Sequence, residues 1–524
     1  MIPVFESVKE VEREISVYYS SDEFIAETLM IENASSSLEK IIFKNVQKVK
    51  SILIMCGSGN NGADGYSLAR RLAEKVKVSV LQVSEPKSIY CQRAFDNIKP
   101  LVKKAIDIYE LKSEVENTKL EKVINSASVI VDCIFGTGFH NLVDEKIVNL
   151  FKVVNHSDAF RIACDIPSGI DLNCSNISSF SLQKKKHYVF CADVTATMGA
   201  HKMALFSDNA KDLVGKIKCC SIGISNQLFY QKADKVFPKN KIYLLEKDDV
   251  TFPVRNELNT HKGKFGHSVV IGGEKLGAAI LCATSAFRCG AGLSSIVRCA
   301  QNEMSNFQSG VEKFSQYDFK IPACVMISDE IPSNVTSLVL GPGLGRDKNL
   351  STYFEFIESK KVPVVFDADV FYYNELIQFL DSVCSKESDS AEKNQRIILT
   401  PHLKEFSVLL KNSGLGDFSI DEIIVKRVEL MRLFCNKCKN VVLVLKGANT
   451  FIGLKNKIYI CKDGHPSLSK GGSGDVLSGA ISGLLAQNYS ESDAAISGVM
   501  MHAIASSKFK KTYNLLPEDL VLEL

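Results

Sequence analysis

Short apolar runs alternate with longer amphipathic stretches along the whole chain. The runs are continuous rather than alternating in polarity, and segments of helix length separate them. This pattern is typical of parallel sheets covered by helices on both faces, so it predicts the α/β class. The predicted strands are 52–55, 76–81, 129–132, 162–165, 188–191, 268–271, 338–340, 362–366, 397–400 and 441–445.

A lysine-rich segment with few apolar runs divides these strands into two sets. It extends from about Phe229 to Asp249. We place the domain boundary there, which predicts two three-layer αβα domains at 1–230 and 231–524. An acidic stretch at 385–392 is interpreted as a solvated surface insertion.

The composition argues against several classes of protein and partner. The 524 residues are 45% hydrophobic and 23% charged, which is typical of a globular protein. Lys and Arg total 63 against 60 Asp and Glu, so the net charge of +3 indicates neither a nucleic-acid nor a membrane partner. No apolar run reaches the roughly 18 residues of a spanning helix, and the first residues do not resemble a signal peptide. We expect a soluble, cytoplasmic protein.

Sixteen cysteines are present, and most of them interrupt apolar runs, where a thiol behaves as a small hydrophobe. Cys435 and Cys438 have the spacing of a metal or redox pair. They lack a second pair at zinc-site spacing, so we interpret them as structural.

The strand at 52–55 leads into a glycine-rich turn that opens a helix. Its backbone N–H groups and the helix N-terminus suit a phosphate, and the turn also contains Asn60, Asn61 and Asp64. A second possible phosphate turn, Gly136-Thr137-Gly138, follows the strand at 129–132.

Polar side chains at three strand ends have a common chemistry. Asn61, Asp132 and Ser168 offer only oxygens, which suit a hard monovalent or divalent cation. Lys202 follows another strand and is a candidate to exchange a proton with Asp165. The alternative is that each acid only caps a helix.

These motifs resemble the N-terminal domain of the bifunctional NAD(P)H-hydrate repair enzymes. The matching segments are 59–65, Asp132 with 136–138, 165–171 and 30–34. The resemblance implies a Rossmann-like domain with NAD(P)H-hydrate epimerase activity, K⁺ bound by Asn61, Asp132 and Ser168, and catalysis by Asp165 with Lys202. The implied substrate-binding residues are Asn60, Asn61, Gly62, Ala63, Asp64, Gly136, Thr137, Gly138 and Asp165.

A second constellation lies near the C-terminal end of the sequence. Gly471-Gly472-Ser473-Gly474 opens an apolar helix and directs backbone donors toward a developing phosphate anion. Asp475, in the first helical turn, is placed to act as a general base. The alternative is an acid favoured only by the helix dipole, and a core position is the alternative for His402.

The second half resembles the ribokinase-like superfamily, and within it the ADP- or ATP-dependent NAD(P)H-hydrate dehydratases. The matching segments are 261–267, 341–345, 367–369, 400–402, 446–447 and 471–475. The implied contacts with the hydrate are Ala278, Gly343, His402 and Asp475. The implied adenine-nucleotide site comprises Lys446, Gly447, Ala448, Asn449, Thr450 and Gly474.

Together the resemblances imply a two-activity repair enzyme. Water added to the nicotinamide ring of NADH or NADPH gives R and S hydrates, which the first domain interconverts. The second phosphorylates the S hydrate, with Mg²⁺ on the nucleotide phosphates, and loss of phosphate restores NAD(P)H. We favour ADP over ATP as the donor, and we expect a homo-oligomer.

Two other interpretations stay open on the sequence. A ribokinase-like kinase for a vitamin precursor shares the glycine-rich motif before Asp475. The first domain would then be a non-catalytic nucleotide-binding module, which Ala63 in the first turn permits.

Overall fold

The computed structural model describes residues 1–111, 117–239, 241–299, 321–385 and 395–524. They form two compact units, 3–241 and 242–524, the second including the first two residues. The units divide after Lys241 rather than after residue 230, because the helix that spans residue 230 buries Phe229 and Ala233 in the first unit. Apart from its first residue, the predicted surface insertion at 385–392 lies outside the described residues.

The N-terminal unit contains a parallel sheet. The strands of this sheet are β2 (Ser51–Cys56), β3 (Lys77–Gln82), β4 (Ile106–Glu110), β5 (Val129–Cys133), β6 (Phe160–Cys164), β7 (Val194–Met198) and β9 (Lys216–Cys220). Strands β1 (Ile2–Phe5) and β8 (His201–Lys202) pair with each other and lie outside it. The helices of the unit are α1 (Lys9–Ser16), α2 (Glu23–Asn45), α3 (Asn60–Leu72), α4 (Ile89–Ile98), α5 (Asn117–Ser126), α6 (Glu145–His156), α7 (Leu182–Tyr188) and α8 (Asn226–Val236).

The strand order in this sheet is β4-β3-β2-β5-β6-β7-β9, and each neighbouring pair is parallel. From β2 the chain winds outward to β4, and it then returns to place β5 on the other side of β2. This reversal opens a crevice beyond the carboxyl ends of β2 and β5, where ligands bind in such sheets.

Alternate residues of β2 show how the layers form. Ile52 and Ile54 belong to one buried cluster with residues of α2 and α3, such as Leu38. Leu53 and Met55 belong to another cluster with residues of α5 and α6, such as Phe151. Successive strand side chains point to opposite faces, so the sheet is the middle of three layers.

The predicted strand at 188–191 is wrong. Tyr188 ends helix α7, and the strand of the sheet is β7, at Val194–Met198. The run after α7 is apolar because Val189 and Phe190 are buried. Its backbone bonds away from the sheet, since the Phe190 N–H donates to the Ser168 carbonyl at 3.0 Å.

The C-terminal unit contains a mixed sheet. Its strands are β10 (Ile242–Leu244), β11 (His267–Gly272), β12 (Leu293–Arg298), β13 (Val325–Ser328), β14 (Ser337–Leu340), β15 (Val364–Phe366), β16 (Ile397–Leu399), β17 (Val441–Leu445), β18 (Thr450–Leu454) and β19 (Lys457–Cys461). Its helices are α9 (Leu276–Arg288), α10 (Ser351–Lys360), α11 (Asn374–Ser385), α12 (Leu403–Asn412), α13 (Ile420–Val425), α14 (Arg427–Lys437), α15 (Ser473–Ala486), α16 (Glu491–Ser506) and α17 (Pro517–Glu523).

The strand order in this unit is β13-β12-β11-β14-β15-β16-β17-β18-β19-β10. Strand β18 is antiparallel to β17 and β19, and the other neighbours are parallel. The direction of winding reverses between β11 and β14. The carboxyl ends of β11 and β14 to β17 therefore face one crevice.

Helices cover both faces of this sheet too. Val270 and Val339 pack in a cluster with residues of α9, α15 and α16. On the other face, Phe366 contacts Phe354 and Phe379 with ring centroids 5.7 and 5.8 Å away. The unit is therefore also three-layered. No helix in the described ranges of either unit is long and apolar enough to cross a membrane.

Helices α9 and α15 approach each other closely at a glycine. A methyl group on Gly479 would lie 2.1 Å from the Cys282 carbonyl oxygen of α9. At Gly277, near the start of α9, the described residues place no atom within 4 Å of the same position apart from its chain neighbours and its own helix backbone. Glycine at 479 therefore sets the distance between these two helices.

We expect Gly479→Ala to destabilise the C-terminal unit by about 1–3 kcal/mol, because the helices must separate. Gly277→Ala is the matched control, and its better helix propensity should leave stability unchanged or slightly raised. Thermal unfolding followed by circular dichroism measures both variants. Equal unfolding midpoints for the two variants would show that Gly479 does not set the distance between α9 and α15.

Candidate active sites

The first site begins at the N-terminus of α3, in the crevice between β2 and β5. The first intrahelical bond runs from the Ala63 N–H to the Gly59 carbonyl at 3.2 Å. No side chain of the described residues caps this terminus, so the N–H groups of Asn60, Asn61 and Gly62 lack a helical acceptor. Such donors suit a phosphate oxygen. The Ala63 side chain is fully buried and belongs to the core rather than to the open face of the turn.

The second turn lies next to the first. The Phe139 N–H donates to the Gly136 carbonyl at 3.2 Å, and the rings of Phe135 and Phe139 stack with centroids 4.6 Å apart. A methyl group on Gly136 would lie 3.6 Å from the Asn61 Cβ and 3.7 Å from Asp165 Oδ2. The fold therefore brings the two predicted phosphate turns and Asp165 together.

The three predicted cation ligands meet around the Phe135 backbone. The Ser168 hydroxyl donates to Asp132 Oδ1 at 2.7 Å and accepts the Phe135 N–H at 2.8 Å. The Asn61 amide donates to the Phe135 carbonyl at 2.9 Å. The Ser168 N–H donates to Asp132 Oδ2 at 2.8 Å. Hydroxyl, carboxylate and carbonyl oxygens thus converge on one small region, together with the Asn61 amide group.

Asp132 is the one carboxylate of this group, and it is fully buried. Burial raises the pKa of Asp132 to about 6, although hydrogen bonds from Ser168 and Ile134 favour the ionised form. No group of three or more His, Cys, Asp or Glu side chains in the described ranges is arranged to hold a metal ion. The oxygen donors here instead suit a weakly held alkali cation, which tolerates neutral ligands.

Asp165 forms an ion pair with Lys202, whose side chain is fully buried. Asp165 adopts a left-handed backbone conformation with φ of 69°, unusual for a residue other than glycine. Lys202 Nζ contacts Asp165 Oδ1 and also donates to the Met198 carbonyl. The Met198 N–H donates to the same Asp165 oxygen at 3.1 Å. The turn after β6 therefore directs this carboxylate at the end of β7 and at β8.

Glu12 of helix α1 adds a further acid near this pair, one that sequence reasoning missed. Burial raises the pKa of Glu12 to about 7, with opposing effects of Lys202 and Asp165. Burial also opposes the charge on Lys202, but Asp165 and Glu12 outweigh it and raise the lysine pKa. Lys202 is therefore an ammonium at neutral pH. No motif marks Glu12, which approaches the site only because α1 follows β1, the partner of β8.

The second site begins at the N-terminus of α15. Gly472 precedes this helix with φ of 96°, and no side chain in the described part of the chain caps it. The first helical bond runs from the Val476 N–H to the Gly472 carbonyl at 3.1 Å. The N–H groups of Gly474 and Asp475 therefore have no acceptor within the helix, as an anion site requires.

Lys446, at the end of β17, is held beside this terminus by a carboxylate. Its Nζ lies 2.8 Å from Asp367 Oδ1, and the Ser478 hydroxyl donates to Asp367 Oδ2 at 2.6 Å. A methyl group on Gly474 would lie 3.4 Å from Lys446 Nζ. Ser478 follows Asp475 by three residues, a helical spacing that places both on one face. That spacing was the available sequence signal for Ser478.

Asp475 is poised between its two protonation states at neutral pH. Burial raises the pKa of Asp475 to about 7, Asp367 and Asp369 raise it further, and Lys446 lowers it. A carboxyl with this pKa accepts a proton more readily than an exposed aspartate does. Burial opposes the ammonium form of Lys446, but Asp367 and Glu405 outweigh it and raise the pKa. An acceptor and a fixed positive charge therefore share one helix N-terminus.

The other predicted contacts lie around the same crevice. His402 pairs with Lys446 in an isolated parallel bridge. A methyl group on Gly343 would lie 3.0 Å from the Ala278 Cβ, so these two predicted substrate residues are neighbours. The predicted nucleotide residues 447–449 form the loop between β17 and β18, in which Gly447 and Ala448 are exposed and Asn449 is buried, and Thr450 begins β18.

Two other sequence features lie in the core. Cys435 and Cys438 are buried free thiols. The ring of His267 is buried, with Nδ1 2.9 Å from Asn334 Oδ1 and Nε2 2.7 Å from the Ser295 hydroxyl. Both nitrogens of His267 are therefore satisfied within the fold.

Two family models together match most of the chain. The model described as YjeF-related protein N-terminus matches residues 27–204. The model described as NAD(P)H-hydrate dehydratase matches residues 268–524. They cover the two uncapped helix N-termini described above, one each.

Similar proteins match over nearly the full length. The bifunctional NAD(P)H-hydrate repair enzyme of Helicobacter pylori is 35% identical over 522 residues, covering 99% of each chain. The enzyme of the same description from Dictyoglomus turgidum is 28% identical, covering 98% of this chain and 96% of its own. The solved structure of the ADP/ATP-dependent NAD(P)H-hydrate dehydratase of Bacillus subtilis aligns with a TM-score of 0.42 and 21% identity, covering 54% of this chain and 96% of its own.

Proposed function

The chain belongs to the bifunctional NAD(P)H-hydrate repair enzymes, which combine an epimerase and a dehydratase, and we propose that each activity resides in one of its two uncapped-helix sites. The N-terminal unit, with its Rossmann-like sheet, interconverts the R and S hydrates. The C-terminal unit, which is ribokinase-like, returns the S hydrate to NADH or NADPH. The observation that carries this division is the ion pair of a lysine and an aspartate at each site, in which one of the two partners is almost fully buried.

At the first site, the uncapped N-terminus of α3 and the turn at 136–138 bind the substrate phosphates. Inversion at the hydrated carbon requires one of its bonds to break and re-form on the opposite face. A proton must reach the departing atom and later be withdrawn. The Lys202 ammonium and the Asp165 carboxylate supply such a donor and acceptor in contact with each other. The left-handed turn at Asp165 keeps this carboxylate directed at the crevice.

We assign K⁺ to the oxygens of Asn61, Asp132 and Ser168, and we add the Phe135 carbonyl as a fourth ligand. The donor set is neutral apart from Asp132, which suits a monovalent cation rather than a transition metal. The Asn61 amide presents its nitrogen to the Phe135 carbonyl, so ligation requires the amide to turn over. Bound K⁺ would supply a fixed positive charge near the substrate phosphates.

At the second site, Asp475 accepts the hydroxyl proton of the S hydrate while a phosphoryl group is transferred to that oxygen. The N–H groups at the start of α15 and the Lys446 ammonium stabilise the charge that develops on this group. Phosphate then leaves with its bonding electrons, a proton leaves the neighbouring ring carbon, and the ring double bond is restored. Gly343, Ala278 and His402 contact the hydrate.

The loop at 446–450 and Gly474 hold the adenine nucleotide, with ADP as the favoured donor. Mg²⁺ would neutralise its phosphates, as in other phosphoryl transfers. Small-molecule hydrates are the substrates. A homo-oligomeric state, a cytoplasmic location and the lack of nucleic-acid or membrane partners stay predictions.

The vitamin-precursor kinase and the non-catalytic first domain are not favoured. A kinase of that kind would not require the N-terminal unit, whereas the bifunctional relatives match this chain along both units. The buried methyl of Ala63 also leaves the backbone donors of the first turn in place.

Asp475→Asn should lower the nucleotide-dependent recovery of NADPH about 10²–10⁴-fold, because the proton acceptor is lost. Epimerisation should be unchanged. In the native protein, recovery should also fall as the pH drops below about 7, where Asp475 becomes protonated. NADPH absorbance measures the recovery by the variant and the pH dependence of recovery by the native protein. Asp493→Asn, the same change in the first turn of α16, is the control, and native recovery by the Asp475 variant would refute the assignment.

Asp165→Ala should leave the R hydrate unconverted while the S hydrate is consumed, because the proton-transfer pair is broken in one unit only. Chromatography of the residual hydrate from a mixed R/S sample, with ADP or ATP and Mg²⁺, measures the outcome. A sample without protein corrects for spontaneous epimerisation, and Asp107→Ala on β4 is the matched control. If the variant consumes both epimers at the native rate, Asp165 is not catalytic.

Epimerisation should require K⁺ and should lose this dependence in Asp132→Asn, which removes the carboxylate charge from the donor set. In the native protein, K⁺ should also act less strongly below about pH 6, where Asp132 takes up a proton. The measurement is the epimerisation rate against K⁺ concentration at constant ionic strength, with Asp107→Asn as control. The same K⁺ response in both variants would rule out this site.

A further inference from the structure

Glu405 is a buried acid that the reaction described above does not use. It lies in the first turn of α12, which follows β16 and begins after His402. Its side chain is 7% exposed, whereas that of His402 is 50% exposed. A carboxyl is seldom buried beside an open site without a partner that needs it.

The carboxyl of Glu405 holds His402 at two points. Its Oε2 accepts the His402 backbone N–H at 2.8 Å, and its Oε1 lies 3.2 Å from His402 Nε2. The other ring nitrogen, Nδ1, accepts the N–H groups of Lys404 and Glu405 at 3.1 and 3.2 Å. Because Nδ1 is an acceptor, the neutral ring carries its proton on Nε2. Backbone and ring of His402 are thus both fixed.

The groups around Glu405 explain why it keeps this arrangement at neutral pH. Burial raises the pKa of Glu405 to about 7, Lys446 lowers it, and Asp367 and Asp369 raise it. Burial and Lys446 both lower the pKa of His402, so its ring stays neutral. Both protonation states of Glu405 offer an oxygen to the His402 N–H. The hold on His402 therefore depends on an acceptor at this place more than on charge.

We propose that Glu405 is a positioning residue for the hydrate, acting through His402 by fixing its backbone and the orientation of its ring at the dehydratase site. The inference rests on the proposed contact between His402 and the substrate. It adds that a helix-capping acid sets the orientation of that contact.

A purely structural role for Glu405 is testable within the same chain. Helix α13 begins with the same kind of capping box, in which Glu422 Oε2 accepts the Ser419 N–H at 2.9 Å. This second box is exposed. Glu422→Ala therefore removes a comparable helix cap without touching His402 or Lys446.

The experiment measures the dissociation constant of the S hydrate in the absence of nucleotide, so that no turnover occurs. It also measures kcat in the presence of nucleotide. Glu405→Ala should weaken hydrate binding on the order of tenfold, because His402 loses its fixed orientation. Glu405→Gln should bind almost as the native protein does, since its amide oxygen accepts the same N–H. Glu422→Ala should bind as the native protein does. In a His402→Ala background, adding Glu405→Ala should change binding less than twofold.

Native binding by Glu405→Ala would overturn the inference, as would equal losses in the Ala and Gln variants. A further loss of hydrate binding when Glu405→Ala is added to His402→Ala would show that Glu405 acts by another route. That result would also overturn the inference. If Glu405→Ala does not fold, Glu405→Asp, which keeps the charge but is too short to reach, must show the tenfold loss. Lack of hydrate binding by the native protein would instead refute the proposed function itself.

Discussion

An ion pair between a lysine and an aspartate at the strand ends, with one partner almost fully buried, is the interaction on which each site depends. A buried lysine keeps its charge only where carboxylates offset the loss of water. Lys202 has Asp165, and Lys446 has Asp367. Each pair joins chain segments far apart in sequence, so the ion pair also fixes the relative position of the strand ends that line the crevice. Chemistry and local architecture therefore rest on the same contact.

The two units build comparable sites from different connections. In each sheet the winding reverses, and the helix that starts at the crevice has no side-chain cap among the residues that the structure describes. Glycines allow each of these helices to pack closely against its neighbours. A methyl group on Gly65 of α3 would lie 2.7 Å from Cys56 Sγ. A methyl group on Gly479 of α15 would clash with the backbone of α9. The helices are held rigidly, so their free N–H groups point at the crevice before any anion arrives. Such donors need little rearrangement when charge develops.

The sequence predicted the central strands well, because strands buried on both faces are continuous apolar runs. It missed the edge strands β4 and β13, whose side chains are partly exposed and of mixed polarity. It also missed β12, β18 and β19 inside the second sheet. Strand β7 was missed for another reason: its threonines are buried, and Thr195 bonds to the Val214 carbonyl. The apolar run at 188–191 was mistaken for that strand. Hydrophobic pattern alone does not distinguish a buried loop from a buried strand.

Motifs that follow strands identified most of the candidate site, since parallel strands bring their carboxyl ends together. Neither Glu12 nor Ser478 belongs to a motif that follows a strand. Glu12 approaches the first site from helix α1, and Ser478 lies inside α15, after the glycine-rich motif.

The backbone of Asp165 has a consequence for how this protein tolerates change. A left-handed conformation costs a residue with a Cβ about 1–2 kcal/mol, and glycine adopts it freely. Glycine would relieve that cost, but it would also remove the carboxylate that pairs with the buried Lys202 ammonium, and an unpaired buried charge costs more than the backbone conformation does. The ion pair therefore maintains the unfavourable turn as well as the chemistry of the site. A search for stabilising substitutions guided by backbone conformation alone would replace the residue that the site needs most.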